Sequence, residues 1–265
     1  MIVSTVTEAV STGIRVAHVE AVTRAIAAMR GRLAHPHPLG ALAGAATFSP
    51  FHFHEVFRRI TLLTPARFLA VLRLAEARRL LLHSTLPVRE VSGRVGYASP
   101  GAFSARFARL TGTSPTGFRA QARALADARV AGTLWWAGTR RPSVAAPMLT
   151  LSRAPEPGSL VCTCLMPAGT LRAHPGRWAP STGSPRVPLT APPAGGAYAA
   201  YCMVIPAGAR ITDALVDETP GSLRIGSAEL SVTERAPAAV RMGLRWPAPT
   251  DPPIAALLPL AAPPG

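Results

Sequence analysis

"SPFHFHEVFRRITLLTP" (residues 49–65) and "SPGAFSARFARLTGTSP" (residues 99–115) lie fifty residues apart and follow one template. Aligned at that offset and extended to residue 73, ten of 25 positions are identical: Ser49/Ser99, Pro50/Pro100, Phe53/Phe103, Phe57/Phe107, Arg59/Arg109, Thr61/Thr111, Pro65/Pro115, Phe68/Phe118, Ala70/Ala120 and Arg73/Arg123. One structural unit is used twice. Ser followed by Pro is a helix cap and a first-turn proline, so the pattern predicts helices starting at residues 50 and 100. Phe53, Val56, Phe57 and Ile60 then fall on one face, as do Phe103, Arg106, Phe107 and Leu110. A second proline, at 65 and at 115, opens the next helix.

Working outward, "LGALAGAATFSP" (39–50) and "VREVSGRVGYASP" (88–100) read as short helices ending in a tight turn before each Ser-Pro. Leu39, Leu42 and Ala46 form one apolar face; Val88, Val91 and Val95 form its counterpart. Each copy is a short helix, a turn and a second helix with a buried aromatic stripe: a helix-turn-helix. Between them, "TPARFLAVLRLAEARRLLLH" reads as a long helix. Thr64 is its cap, Pro65 its first residue, and Phe68, Leu69, Leu72, Leu80 and Leu81 its apolar face.

The whole chain has 265 residues and a net charge of +15. All 28 basic residues are arginine. The absence of lysine and asparagine is a compositional bias of the kind a GC-rich genome produces, so part of the arginine excess is background. The charge is nevertheless uneven, at +10 over residues 1–128 and +5 over 129–265. A basic first half points to a polyanionic partner; a solvated arginine-rich surface is the plainer reading of charge alone. No apolar run reaches membrane-spanning length, and "MIVSTVTEAVSTGIRVAHVE" lacks the pattern of a signal peptide. The expected location is cytoplasmic, with reduced thiols.

Beyond residue 143, Pro and Gly interrupt short β-type runs at 159–166, 197–206, 222–234 and 239–247, as expected of a β-sandwich or small barrel. Residues 174–196 read as a long loop. The expected architecture is multidomain α plus β: a tail over 1–17, an all-α double helix-turn-helix domain over 18–125, a linker or first strand over 126–142, and a β-sandwich-like sensor or dimerisation domain over 143–265. Trp135 and Trp136 fall in the linker.

At this point the residues resemble the AraC/XylS family of transcription regulators. The resemblance spans roughly residues 20–123 and rests on the two units, the connecting helix, and "VREVSGRVGYASPGAFSARFARLTGTSPTGFR". It implies a sequence-specific DNA-binding regulator whose two reading helices enter successive major-groove segments, about 34 Å apart. The order here, DNA-binding unit first, is similar to that of a group of actinobacterial regulators whose β-rich domain ends in an element like "RWPAPTDPPIAALLPL" (245–260). No ligand comes with that likeness.

With Phe53 and Phe57 inward, Phe51, Glu55 and Arg58 face outward on the first reader, flanked by His52, His54 and Arg59. Alignment with the family makes Phe51, His54 and Glu55 base-facing. Phe51 suits a thymine methyl or is a partly exposed core aromatic, and both readings stay open; His54 can bond a base edge. Glu55 can accept from a cytosine amine, but an intrahelical pair with Arg58 or Arg59 is favoured. His52 and His54 diverge by about 200° around the helix and do not suggest a metal site. The second reader offers Gly101, Ala105 and Ala108, with Pro100 and Ala102 near its tip. Family members commonly carry arginine where Ala105 stands, whereas here Arg106 follows on the core-side flank, within snorkelling reach of a phosphate. Ser49 and Ser99 mark helix N-termini that suit phosphate. Arg58, Arg59 and Arg109 are the leading phosphate contacts, ahead of Arg73 and Arg123.

Cys162, Cys164 and Cys202 read as buried structural thiols, although two cysteines two apart on a strand share a face and could meet a third. Asp213, Asp217 and Glu218 read as a solvated turn. The chain lacks a Pro-Cys-His methyl-acceptor motif, a phosphate-binding Gly loop and a nucleophile elbow, so no catalytic, metal or cofactor site is expected and the protein is not read as an enzyme. The implied partners are double-stranded DNA, a small-molecule effector, a second copy of the chain, and RNA polymerase for an activator. The alternatives are a DNA-binding enzyme with chemistry in the second domain, or a regulator whose second domain only binds proteins. A pocket lined by Trp135, Trp136, Trp178 or Tyr201 would favour a sensor.

Overall fold

The computed structural model describes residues 16–130, 148–171, 177–189, 195–216, 219–232 and 240–258. Seven helices come first: α1 (Val16–Gly31), α2 (Leu39–Gly44), α3 (Pro50–Thr61), α4 (Pro65–His83), α5 (Val88–Arg94), α6 (Pro100–Thr111) and α7 (Pro115–Ala124). Strands follow: β1 (Met148–Leu151), β2 (Leu160–Pro167), β3 (Arg177–Pro180), β4 (Arg186–Pro188), β5 (Gly196–Ile205), β6 (Arg224–Val232) and β7 (Val240–Met242). A short helix α8 (Ile211–Leu215) precedes β6, and a 3-10 turn, Ile254–Leu257, follows β7.

The repeat is a repeat of contacts. Ser49 Oγ accepts from the His52 N–H at 3.2 Å, and Ser99 Oγ from the Ala102 N–H at 3.3 Å. Each cap is worth about 1 kcal/mol. Phe53, Phe57 and Phe68 stack in sequence at 5.7 and 5.5 Å; Phe103, Phe107 and Phe118 do so at 5.6 and 5.6 Å. Thr61 Oγ1 donates back to the Phe57 carbonyl at 2.8 Å and accepts the Leu63 N–H at 3.2 Å. Thr111 makes the same bonds with Phe107 and Thr113 at 2.9 and 3.5 Å. The shared threonine therefore closes one helix and shapes the turn into the next. That turn needs a left-handed residue, supplied by Gly112 (φ 79°) in one copy and by Leu62 (φ 61°) in the other.

Upstream of the caps the register shifts by one. The Phe48 N–H bonds the Ala43 carbonyl as the Tyr97 N–H bonds that of Ser92, an offset of 49. Ala98 is the extra residue. The left-handed position here is Thr47 (φ 59°) in the first unit and Gly96 (φ 81°) in the second. A β-carbon on Gly96 would lie 2.8 Å from Arg73 Nη2 and 2.9 Å from the Ala34 backbone.

Thr64 begins α4 without a side-chain capping bond. Besides Phe68, Leu72 and Leu81, α4 buries Val71, Leu74, Ala77 and Arg78, so it is enclosed on most sides rather than along one stripe. At 1.5 Å per residue its 19 residues span about 28 Å.

The strands form two sheets, ordered β4-β1-β7 and β3-β2-β5-β6. In the smaller, β1 runs antiparallel to β4 and parallel to β7; the larger is antiparallel throughout. Residues 174–196 are therefore not simply a loop, because β3 and β4 fall within them; proline-flanked strands of four and three residues leave too short a run to read as alternation. In the run 239–247 only Val240–Met242 is strand. Trp135 and Trp136 lie outside the described residues, but just before them the Val130 N–H donates to the Ala209 carbonyl at 2.8 Å and the Ile211 N–H to that of Ala128 at 3.0 Å.

The middle of the large sheet is covered on both faces, while Ser227, Glu229 and Ser231 of β6 are exposed. Leu149, Leu151, Val240 and Met242 of the small sheet pack on Val161, Leu165, Ala200 and Cys202. On the opposite face Leu160, Cys162, Cys164, Met166, Tyr201 and Met203 join a core continuous with the helices. Strand β2 is accordingly apolar at nearly every position, without a hydrophobic-polar alternation. Its one buried hydroxyl, Thr163, donates to the Pro188 carbonyl at 3.0 Å.

The two left-handed turns give opposite expectations. Gly96→Ala should lower unfolding free energy by at least about 2 kcal/mol, whereas Thr47→Gly should raise it by up to about 1 kcal/mol. Urea unfolding of both variants measures the difference.

Candidate nucleic-acid interface

Helices α3 and α6 turn their phenylalanine stripes inward, which fixes what remains outside. On α3, Phe51 is 79% exposed. Ser49, His52, Arg58 and Arg59 are also exposed, and His54 and Glu55 are half-buried. Glu55 reaches Arg58 at 3.5 Å and His54 Nδ1 at 3.5 Å, so its carboxylate is engaged along the helix, as the spacing favoured. The ring of His52 packs edge-on against Phe48 at 4.9 Å and His18 at 5.5 Å. That small cluster ties the start of α3 to α1 and is invisible from the repeat alone.

On α6, Ser99, Pro100, Gly101, Ala102, Ala105 and Arg109 are exposed; Ser104, Arg106 and Ala108 are half-buried. Ser104 was missed by the sequence reading. It stands fifty residues after His54, and it carries the one hydroxyl between Gly101 and Ala108. Arg106 occupies the place of Val56, with its Nε enclosed by protein and without an acceptor among the described residues.

Arg73 is occupied within the fold. Its Nε donates to the Leu33 carbonyl at 2.8 Å and its Nη2 to that of His35 at 3.1 Å, clamping the α1–α2 loop onto α4. Burial lowers its pKa from the usual arginine value; Tyr97 opposes that shift and neighbouring Arg106 adds to it. Arg123, its repeat partner, is exposed at the end of α7.

The three cysteines do not converge. Cys202 pairs in register with Thr163, placing it on the sheet face opposite Cys162 and Cys164. Among the described residues no three His, Cys, Asp or Glu side chains form a ligand set. Trp178 and Tyr201 are packed into the core; Asp217 and Glu218 lie outside the described residues. No helix among those residues is long and apolar enough to cross a membrane.

A family profile described as "Helix-turn-helix domain" matches residues 42–121, both units and the helix between them. Residues 42–121 are an AraC-type helix-turn-helix domain. The chain is 36% identical over 92 residues to the RCS-specific HTH-type transcriptional activator RclR of Escherichia coli (strain K12), covering 35% of this chain and 32% of that one. It is 39% identical over 72 residues to the HTH-type transcriptional activator RhaR of Cronobacter sakazakii, covering 27% of this chain and 25% of that one. The chain thus spans no more than about a third of these curated relatives (32% and 25%). A solved structure described as the DNA-binding domain of AdpA, in complex with a target DNA, is 35% identical; the match covers 39% of this chain and 94% of that chain, with a TM-score of 0.37.

Burial pushes the Cys164 and Cys202 thiols up to about 12, and Cys162 well above its ordinary value. A thiol whose pKa is raised by folding holds its proton more tightly in the native state, so its contribution is full below the unfolded value and is lost as pH climbs from about 9 toward 12. In a thiol-reagent assay at pH 8, the three cysteines should stay unreactive in the native protein and react on unfolding.

Proposed function

We propose that the chain is a sequence-specific DNA-binding transcription regulator, in which α3 and α6 enter two adjacent major-groove segments. The observation that carries this reading is the exposure of Phe51 at the capped tip of α3, on the face opposite the buried Phe53 and Phe57. A large aromatic left outside a well-packed helix has an apolar or π partner to meet, and a thymine methyl in the groove is one. The relatives named as transcriptional activators and the DNA complex of a similar domain support the same reading.

Within it, the first unit does most of the base reading, through Phe51 and His54. Glu55, held by Arg58, orients that arginine toward a phosphate. The second unit mainly positions: Gly101, Ala102 and Ala105 let the backbone approach, Ser99 and Pro100 bring a helix N-terminus to phosphate, and Ser104 supplies one hydroxyl. Arg59 and Arg109 are the repeated phosphate contacts, and His52 and Ser49 hold the tip of α3.

In this reading the chain divides into 1–17, 18–125, 126–142 and 143–265, although α1 already begins at Val16 and one core runs from helices to strands. Two sheets sharing one apolar core favour a sandwich-like second region. That region controls DNA binding in response to an effector or a second copy of the chain. The protein so read is cytoplasmic, is not an enzyme, and contacts RNA polymerase if it activates.

Selection of binding sites from random duplexes, at stated salt, tests the reading; a purified protein that enriches no sequence refutes it. Phe51→Ala with His54→Ala should flatten the selected preference, and Ala105→Arg should tighten binding while keeping it. Arg58→Gln, Arg59→Gln and Arg109→Gln should each reduce the slope of log affinity against log salt by about 1.

A further inference from the structure

Arg78 lies in the middle of α4 and is fully buried. Its Nη1 donates to the carbonyls of Ala255 at 2.6 Å and Leu258 at 3.1 Å, and its guanidinium carbon sits 4.8 Å from the centre of the Phe118 ring. Burying a guanidinium is costly unless it meets well-placed acceptors. Here those acceptors are main-chain atoms of a segment 177 and 180 residues further along the chain. Residues 254–258 are themselves buried to 2% exposure or less. They pack on α4, on α6 and on α8. One short segment therefore touches the second reading helix on one side and an element of the β-rich region on the other.

The first unit is joined differently. Phe68 is the counterpart of Phe118, but among the described residues no guanidinium lies over its ring. At the α3–α4 turn, Arg58, Leu62 and Arg67 face the 167–170 turn and the end of β6 across a cleft of about 140 Å³. A close-packed buried contact transmits displacement more directly than surfaces that face each other across a cleft.

We propose that Arg78 is a positioning residue: by anchoring residues 254–258 against α6, it makes the second unit's engagement of DNA depend on the β-rich region, while the first unit reads DNA independently of that anchor. It acts through Phe118, whose ring meets Phe107 at 5.6 Å, which in turn meets Phe103 at 5.6 Å on α6. The inference rests on the DNA-binding reading above and adds a route by which the rest of the chain governs half of it.

The test uses the full chain and two duplexes built from its footprint, one carrying both groove segments and one carrying only the segment protected by the first unit. Wild type should bind the longer site at least about tenfold more tightly, and Arg78→Met should bring that ratio to within about twofold while leaving single-segment affinity unchanged. Arg78→Lys, which keeps the charge and a donor, should restore part of the ratio. Ile254→Ala should lower it without altering α4, and it serves as the decisive variant if Arg78→Met does not fold. Equal weakening of both duplexes, an unchanged ratio in the folded variants, or a wild-type ratio near one overturns the proposal. A wild type that binds neither duplex refutes the DNA-binding reading itself, and this proposal with it.

Discussion

The edge-to-face contact of Phe57 with Phe68, repeated by Phe107 with Phe118, is the constraint from which the outer surface of the helical region follows. Such pairs contribute about 0.5–1.5 kcal/mol beyond the area they bury. Their larger effect is geometric. Once the second phenylalanine of the stripe is locked against the next helix, 3.6 residues per turn decides which side chains look outward. Thr61 and Thr111 close the same joint from the backbone side, so the angle between α3 and α4 is held at two points, and likewise between α6 and α7.

The two copies differ in where their specific interactions are made. The first carries an exposed Phe, two histidines and a carboxylate–arginine pair on its outward face. The second has almost none of these, and its ties run back to the elements before it. Arg119 donates to the carbonyls of Leu81 and Leu86 and secures α7 to the end of α4. Gly96 permits close contact with the α1–α2 loop, which Arg73 clamps.

Local grammar made much of this legible. Ser-Pro placed the starts of α3 and α6, and the phenylalanine spacing placed their buried faces. Strands β2, β5 and β6 of the large sheet were visible as runs of β-branched, aromatic and small apolar residues between prolines. What escaped depended on partners distant in sequence. Arg78 in "EARRLLL" looks like any exposed helix arginine, because its acceptors are carbonyls near residue 255 and a carbonyl leaves no signature in a sequence. The separation of Cys202 from Cys162 and Cys164 depends on the β2–β5 register, which composition does not specify. His52 read only as a flank of the first reader because its packing against His18 and Phe48 brings together residues from two helices and the turn before the second. Strands β3 and β4 were too short, and too close to proline, to announce themselves.

The middle of the large sheet, β2 and β5, has no solvent face of its own: one side belongs to the small sheet and the other to the helices. That makes the chain a poor candidate for modular exchange. A reading domain strung on a flexible tether can be traded between proteins, because cutting the tether exposes little. Here a cut between helices and strands would strip apolar cover from Leu160, Cys164 and Met203 on one side and from the helical core on the other. A change of volume in one wall of that shared core therefore loads the other wall as well.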